Sequence, residues 1–193
     1  MRNYTDPARG YLSLPTMLTW IRIALFAVLI IVHVTTAGIG RDYWLAAIFL
    51  LAAITDWGDG MLARKLKQSS PFGAFLDPVA DKLIVMGALV ILVDLSRVPA
   101  WLTILLIGRE LVIASLREWT ALSRISLAVK PSGKAKTLLQ MLAIFFLFLP
   151  PRPWNSIMGE VLIYGALFFA IFSAVQYAFT AMIAIQNHTP NHH

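Results

Sequence analysis

The sequence predicts an all-α membrane protein whose chain crosses a lipid bilayer six times. Three observations predict this class: the composition, six long apolar runs, and basic residues concentrated on alternate connections. Of 193 residues, 59% are apolar and only 13% are charged, with a mean hydropathy of +0.73. A soluble domain is roughly 45–50% apolar and about 25% charged, so the composition indicates that lipid surrounds most of this chain.

The six apolar runs give the predicted transmembrane helices. A helix needs about 20 residues to cross the hydrocarbon core, and the runs lie at residues 15–37, 43–63, 74–95, 99–122, 134–150 and 155–186. The connections are too short for a second domain, so we expect one membrane domain over residues 1–193. The polar segment 1–13 lacks the apolar core of a signal peptide, and we expect no cleaved leader.

The distribution of Lys and Arg predicts the orientation of the helices. Cytoplasmic connections of membrane proteins carry an excess of these residues. If the N-terminus is cytoplasmic, the outer connections carry Arg41, Arg97 and Arg152, whereas the inner segments carry Arg2, Arg9, Arg64, Lys65, Lys67, Arg117, Arg124, Lys130, Lys134 and Lys136. We therefore expect both termini in the cytoplasm. The same asymmetry explains the net charge of +6, and we expect membrane lipids rather than nucleic acid as partners.

Four carboxylates lie at the second and third predicted spans, where acids are costly. They are Asp56, Asp59, Asp77 and Asp81, and each pair is spaced by three or four residues, which puts it on one helix face. In an antiparallel hairpin of these spans, Asp56 falls level with Asp81 and Asp59 level with Asp77. An ionised carboxylate within a bilayer costs at least about 2.5–3.5 kcal/mol, so such acids are functional candidates.

Four convergent negative charges need a counter-charge, because they would otherwise take up protons. The chain has no cysteine, which excludes thiolate ligands and disulfides. Carboxylate oxygens are the ligands that Mg²⁺ and Mn²⁺ prefer, and paired metals are common where displacement occurs at phosphorus. The acids therefore predict two divalent cations, Mg²⁺ or Mn²⁺, at a site that opens toward the cytoplasm.

The acids belong to a longer pattern that resembles a known family. The pattern D-x2-D-G-x2-A-R-x8-G-x3-D-x3-D runs without a gap from Asp56 to Asp81. This motif is similar to the signature of the CDP-alcohol phosphotransferases, whose members also have six spans. Stretches such as Gly108-Arg109-Glu110 and Gly133-Lys134-Ala135-Lys136 are most similar to the bacterial members that use a glycerol phosphate.

The resemblance implies an activity and a role for each motif residue. A phosphatidyl group would pass from CDP-diacylglycerol to sn-glycerol 3-phosphate, giving phosphatidylglycerophosphate and CMP by direct displacement. Asp56, Asp59, Asp77 and Asp81 would bind the metals, and Asp81 would deprotonate the acceptor. The residues that would bind the CDP-lipid are Asp56, Gly60, Ala63, Arg64 and Gly73. The resemblance also implies a multi-pass protein of the bacterial inner membrane and a homodimer.

A phosphorylated acceptor requires cations beside the acids. Arg109 lies within the fourth span and Arg117 about two turns further toward the cytoplasm. Lys134 and Lys136 follow a predicted helix start at Pro131, where the helix dipole favours an anion. We predict that these four residues bind the acceptor phosphate.

Two alternatives remain open at this stage. A different acceptor, either phosphatidylglycerol (giving cardiolipin) or inositol phosphate, would fit the same motif. A divalent-metal transporter could also use intramembrane acids, but it would need polar residues across the whole membrane, and the outer halves of these spans are almost wholly apolar.

Overall fold

The chain folds into helices throughout the part that the structure describes. The computed structural model describes residues 14–66, 71–122 and 131–188, and within them it contains six helices. They are α1 (Leu14–Thr35), α2 (Gly38–Leu66), α3 (Pro71–Asp94), α4 (Ala100–Leu122), α5 (Pro131–Phe148) and α6 (Pro153–His188). The predicted all-α class is confirmed, and each predicted span lies largely within one helix.

The second helix begins earlier than the apolar pattern predicts. The predicted span starts at residue 43, whereas α2 starts at Gly38. Gly38 adopts a φ of +71°, which glycine tolerates and which allows a two-residue connection from α1. The charged residue Asp42 can then lie within the helix because it is buried and paired with Arg97. Hydropathy alone could not reveal this pairing.

Proline marks several helix starts. Pro71, Pro131 and Pro153 are the first residues of α3, α5 and α6, a position where the missing backbone donor costs nothing. The turn before α6 is held by Asn155, whose Nδ2 donates to the carbonyl of Pro150 at 2.8 Å. The Oδ1 of Asn155 accepts from the backbone amide of Arg152, also at 2.8 Å.

Helix α1 packs against both α2 and α3, whereas α2 and α3 contact each other much less. Helix α5 packs mainly on α6 and also contacts α2 and α3, and α4 contacts α3 and α6. Gly87 of α3 allows a close approach to α1, because a Cβ there would overlap the ring of Phe26. Lipid is as apolar as these side chains, so such close packing, rather than exclusion from water, holds the helices together.

A continuous core joins all six helices. Its fully buried members include Leu29 of α1, Phe49 of α2, Leu92 of α3, Leu106 of α4, Phe148 of α5 and Ile163 of α6. The rings of Phe49 and Phe148 meet edge to face with centroids 5.9 Å apart. The described helices therefore form one packed bundle.

Contacts at one end of the bundle show that the helices alternate in direction. His33, at the end of α1, lies 3.0 Å from a carboxylate oxygen of Asp94, the last residue of α3. Arg97, just after α3, pairs with Asp42 in the first turns of α2 and donates to the carbonyl of Leu147 at the end of α5. The ends of α1, α3 and α5 thus lie with the start of α2, as in an up-and-down bundle.

The exterior of this bundle is apolar. Large apolar side chains that face outward include Ile31, Val34, Ile104, Val112, Val161 and Phe168, far more than a soluble monomer exposes. Among the described residues, two helices are long and apolar enough to span a membrane by themselves, over Gly38–Thr55 and Pro153–Thr180, and α1 adds a shorter apolar stretch. These features are those of a membrane protein.

Candidate active site

A cavity of about 240 Å³ lies inside the bundle and is lined by residues of α1, α2, α3, α4 and α5. Its walls are largely apolar, with Leu89 and Leu106 among them. The polar side chains that line it come from four helices and are Arg22, Asp81, Lys82, Glu110, Lys136, Thr137 and Gln140. Charged side chains from separate helices around one apolar cavity are typical of a site that binds a small polar ligand.

Asp81 is the motif acid whose surroundings the structure describes. Its carboxylate forms an ion pair with the guanidinium of Arg22, which reaches it from α1. Arg22 is 1% exposed, whereas the Asp81 side chain is 41% exposed, so the carboxylate remains accessible from the cavity. The buried Arg22 therefore orients the carboxylate of Asp81 through the ion pair, and part of that carboxylate remains accessible to a ligand.

A second charged group lies on the α4 and α5 sides of the cavity. Glu110 accepts hydrogen bonds from Lys136 at 2.6 Å and from Arg109 at 2.7 Å, both to the same oxygen. Lys136 is 3% exposed, so its ammonium would be costly without this partner. Two cations around one carboxylate leave this part of the protein with a local excess of positive charge.

Arg109 connects α4 to α6 rather than lining the cavity. Its Nη2 donates to the hydroxyl of Ser173 at 2.6 Å, and its Nε donates to the carbonyl of Ala170 at 3.3 Å. It approaches the cavity only through Glu110. Of the four residues predicted to bind the acceptor phosphate, the structure brings together Arg109 and Lys136, on the two sides of one carboxylate.

Among the described residues, Arg117 and Lys134 form no ion pair with Glu110 and take other positions in the bundle. Arg117 donates to the hydroxyl of Tyr177 at 2.6 Å, and its guanidinium lies 4.9 Å from the centre of the tyrosine ring. Lys134 is exposed near the start of α5. Neither residue lines the cavity.

The remaining predicted site residues lie within two helices, α2 and α3. Asp56, Asp59, Gly60, Ala63 and Arg64 are in the second half of α2, and Gly73 and Asp77 are in the first turns of α3. Their side chains lie outside the described part of the structure. The predicted convergence of the four carboxylates therefore stays a prediction.

The donor chemistry around Asp81 fits a hard divalent cation. Within the described residues, no group of three or more acidic, histidine or cysteine side chains is close enough together to hold a metal ion. Asp81 nevertheless offers a partly exposed carboxylate at the cavity. Carboxylate oxygens are ligands that Mg²⁺ and Mn²⁺ prefer.

Sequence reasoning did not assign five of the polar residues that line the cavity: Arg22, Glu110, Gln140, Lys82 and Thr137. A signal for the first two was present, since an arginine within the first span and an acid within the fourth are costly in lipid. Gln140 carries no charge and had no comparable signal. Its place in the cavity depends on how α5 is rotated against its neighbours.

The apolar helical bundle and its charged internal cavity define a membrane protein with a candidate site for a small polar ligand. A family model described as CDP-alcohol phosphatidyltransferase matches residues 12–172. The chain belongs to the CDP-alcohol phosphatidyltransferase family.

Relatives in several bacteria carry one name. A protein of Wigglesworthia glossinidia brevipalpis is 41% identical over 175 residues, covering 88% of this chain and 95% of its own. Proteins of Salmonella choleraesuis and of Escherichia coli K12 are 41% and 39% identical over 170 residues, each covering 86% of this chain and 92% of the relative. All three are named CDP-diacylglycerol–glycerol-3-phosphate 3-phosphatidyltransferase.

Proposed function

We propose that this protein transfers the phosphatidyl group of CDP-diacylglycerol to sn-glycerol 3-phosphate. The products are phosphatidylglycerophosphate and CMP. The family and the shared name of relatives about 40% identical over most of the chain support this activity. In the structure, the observation that supports it most directly is that Asp81 and Lys136 line one cavity.

The size of the cavity favours a small acceptor. Sites for drug-sized ligands have volumes of roughly 300–1,000 Å³, and this cavity measures about 240 Å³. A compact polyol phosphate suits that volume better than a diacyl lipid such as phosphatidylglycerol. The cavity therefore supports glycerol phosphate over the acceptor that would give cardiolipin.

In the proposed reaction, the primary hydroxyl of the acceptor attacks the phosphorus next to the diacylglycerol. A new P–O bond forms, the bond to the CMP oxygen breaks, and the hydroxyl proton passes to the carboxylate of Asp81. Arg22 holds this carboxylate in place through its buried ion pair. Lys136 supplies positive charge for the acceptor phosphate, and Arg109, Arg117 and Lys134 complete the proposed cationic region.

The proposal includes two divalent cations held by Asp56, Asp59, Asp77 and Asp81. When bound there, such cations would offset negative charge on the phosphoryl oxygens. Asp56, Gly60, Ala63, Arg64 and Gly73 would bind the CDP part of the donor. These assignments follow the family motif on α2 and α3.

The proposed setting is the bacterial inner membrane, with six spans, both termini in the cytoplasm and the cavity open to that side. Helices α1 to α6 would be the spans, and the whole chain would form a single domain. The apolar exterior and the alternating helices support this arrangement. A homodimer is part of the proposal through the family resemblance alone.

The test is an identification of the lipid product. The purified full-length protein is incubated with CDP-diacylglycerol and Mg²⁺, and with glycerol 3-phosphate, phosphatidylglycerol or inositol phosphate in separate reactions. We expect phosphatidylglycerophosphate and stoichiometric CMP from the first acceptor alone. A larger yield from either other acceptor would overturn the assignment.

A transport assay distinguishes the proposed enzyme from a divalent-metal transporter. Sealed vesicles containing the protein are exposed to Mn²⁺, and the internal metal is measured over time. We expect no flux above that of protein-free vesicles. Steady flux together with no CMP release would indicate a transporter.

A further inference from the structure

Gln140 is a buried amide at the cavity, and its carbonyl oxygen has no partner among the residues that the structure describes. It lies on α5, one helical turn after Lys136, and its side chain is among those that line the cavity. Gln140 is 2% exposed, and no described residue donates a hydrogen bond to its Oε1. Its neighbours along the same face of α5 are Ala143 and Leu147, which are buried in the apolar core.

An unsatisfied amide at this position has an energetic cost. A buried polar group without a partner destabilises the folded state, and it does so more strongly where the surroundings are apolar. A methionine or leucine would pack in the same space without this cost. An amide that lines a cavity and whose carbonyl oxygen has no partner among the described residues is instead suited to bind a ligand that carries a hydroxyl.

The neighbouring charges indicate which hydroxyl this is. Under the proposed function, the acceptor phosphate lies toward Lys136 and the reacting primary hydroxyl lies toward Asp81, and both residues line the cavity with Gln140. Glycerol 3-phosphate has one further polar group, the secondary hydroxyl on its middle carbon. This hydroxyl takes no part in the displacement, and enclosing it in an apolar cavity requires a hydrogen-bond partner.

We propose that the side-chain amide of Gln140 hydrogen-bonds the secondary hydroxyl of the acceptor and thereby determines acceptor specificity. This inference rests on the proposed function. It explains why an otherwise costly polar group lies between the core and the charged part of the cavity. It also implies that the protein discriminates against acceptors that carry the phosphate and the primary hydroxyl but lack the secondary hydroxyl.

The test compares two acceptors that differ only in the secondary hydroxyl. The full-length protein, with CDP-diacylglycerol and Mg²⁺, is supplied with glycerol 3-phosphate or with 3-hydroxypropyl phosphate, and kcat/KM is measured for each. We expect the wild-type protein to prefer glycerol 3-phosphate by roughly ten- to a hundredfold, because the analogue leaves the buried amide unpaired. In Gln140→Met, we expect the preference to fall to about twofold or less, through a loss with glycerol 3-phosphate and little change with the analogue.

Thr103→Val is the matched control. Thr103, on α4, is another buried polar side chain whose hydroxyl has no partner among the described residues, but it does not line the cavity. Its substitution also removes a buried polar oxygen that has no partner among the described residues, and we expect the acceptor preference to stay at the wild-type value. If Gln140→Met does not fold, Gln140→Asn replaces it, because the shorter amide is withdrawn from the cavity by one methylene and should also lower the preference.

The outcomes separate this inference from the function on which it rests. If the wild-type protein forms no product with glycerol 3-phosphate, the proposed function fails. If it forms product but accepts both acceptors equally, or if the Gln140 variants keep the wild-type preference, the inference about Gln140 is wrong while the function stands.

Discussion

Replacing Arg97 with methionine should destabilise the protein strongly without changing its chemistry. Arg97 follows α3 and reaches two other elements. Its Nη1 donates to the carbonyls of Leu147, Phe148 and Leu149 at 2.8, 3.1 and 3.2 Å, and its Nη2 pairs with the carboxylate of Asp42 on α2. The side chain of Arg97 therefore connects the end of α3 with the start of α2 and the end of α5.

The expected loss of stability arises because the substitution leaves the carboxylate of Asp42 buried without its main partner. Asp42 is 3% exposed, and removing one partner of a buried ion pair costs about 3–5 kcal/mol. The lower end applies here, because Arg41 Nε lies 3.7 Å from the same carboxylate and offsets part of the lost attraction. A loss of about 3 kcal/mol corresponds to a decrease in Tm of roughly 6–12 °C for a chain of this length.

Thermal unfolding of purified wild-type and Arg97→Met proteins in the same detergent measures this decrease. The double variant Asp42→Asn/Arg97→Met should recover part of the loss, because it no longer buries an unpaired charge. Arg97 does not line the cavity, so the kcat per folded molecule and both KM values should stay near wild type. A Tm within about 1 °C of wild type for Arg97→Met, or a double variant that loses the sum of the single effects, would refute the reasoning.

Three further predictions concern the cavity and the motif acids. Chelation with excess EDTA should abolish CMP release and added Mg²⁺ or Mn²⁺ should restore it, whereas full turnover in EDTA would contradict the metal assignment. Asp81→Asn should largely abolish turnover and keep measurable CDP-lipid binding, whereas Asp56→Asn should weaken both; equal losses of binding would contradict these separate roles. Lys136→Met should raise the KM for glycerol 3-phosphate by roughly 10- to 100-fold, since a charge-assisted hydrogen bond contributes about 1.5–3 kcal/mol. Arg117→Ala should raise it less, because the guanidinium of Arg117 contacts Tyr177 and does not line the cavity. The KM for CDP-diacylglycerol should change little, and steady-state kinetics with each substrate varied in turn measures both; an unchanged acceptor KM in Lys136→Met would place the phosphate elsewhere.

The number of helices and their approximate extents were predictable because they depend on local properties of the chain. Apolar runs and prolines are read within a window of about 20 residues, and they predicted six helices with most ends within a few residues. The second span was predicted to start at residue 43, whereas α2 starts at Gly38, and pairing with Arg97 permits the burial of Asp42. The motif acids were likewise evident from spacing alone.

By itself, the sequence determined the helical membrane class, the family motif on α2 and α3, and the cationic residues near α4 and α5. Only the tertiary structure decided which charges meet. Arg22 pairs with Asp81 across 59 positions, and Lys136 pairs with Glu110 across 26. Periodicity shows which residues share one helix face but not how that face is rotated against another helix. That rotation depends on close packing, such as Phe26 of α1 against Gly87 of α3 and Leu147 of α5 against Gly159 of α6. The rotation of α5 brings Gln140, an uncharged residue, to the cavity.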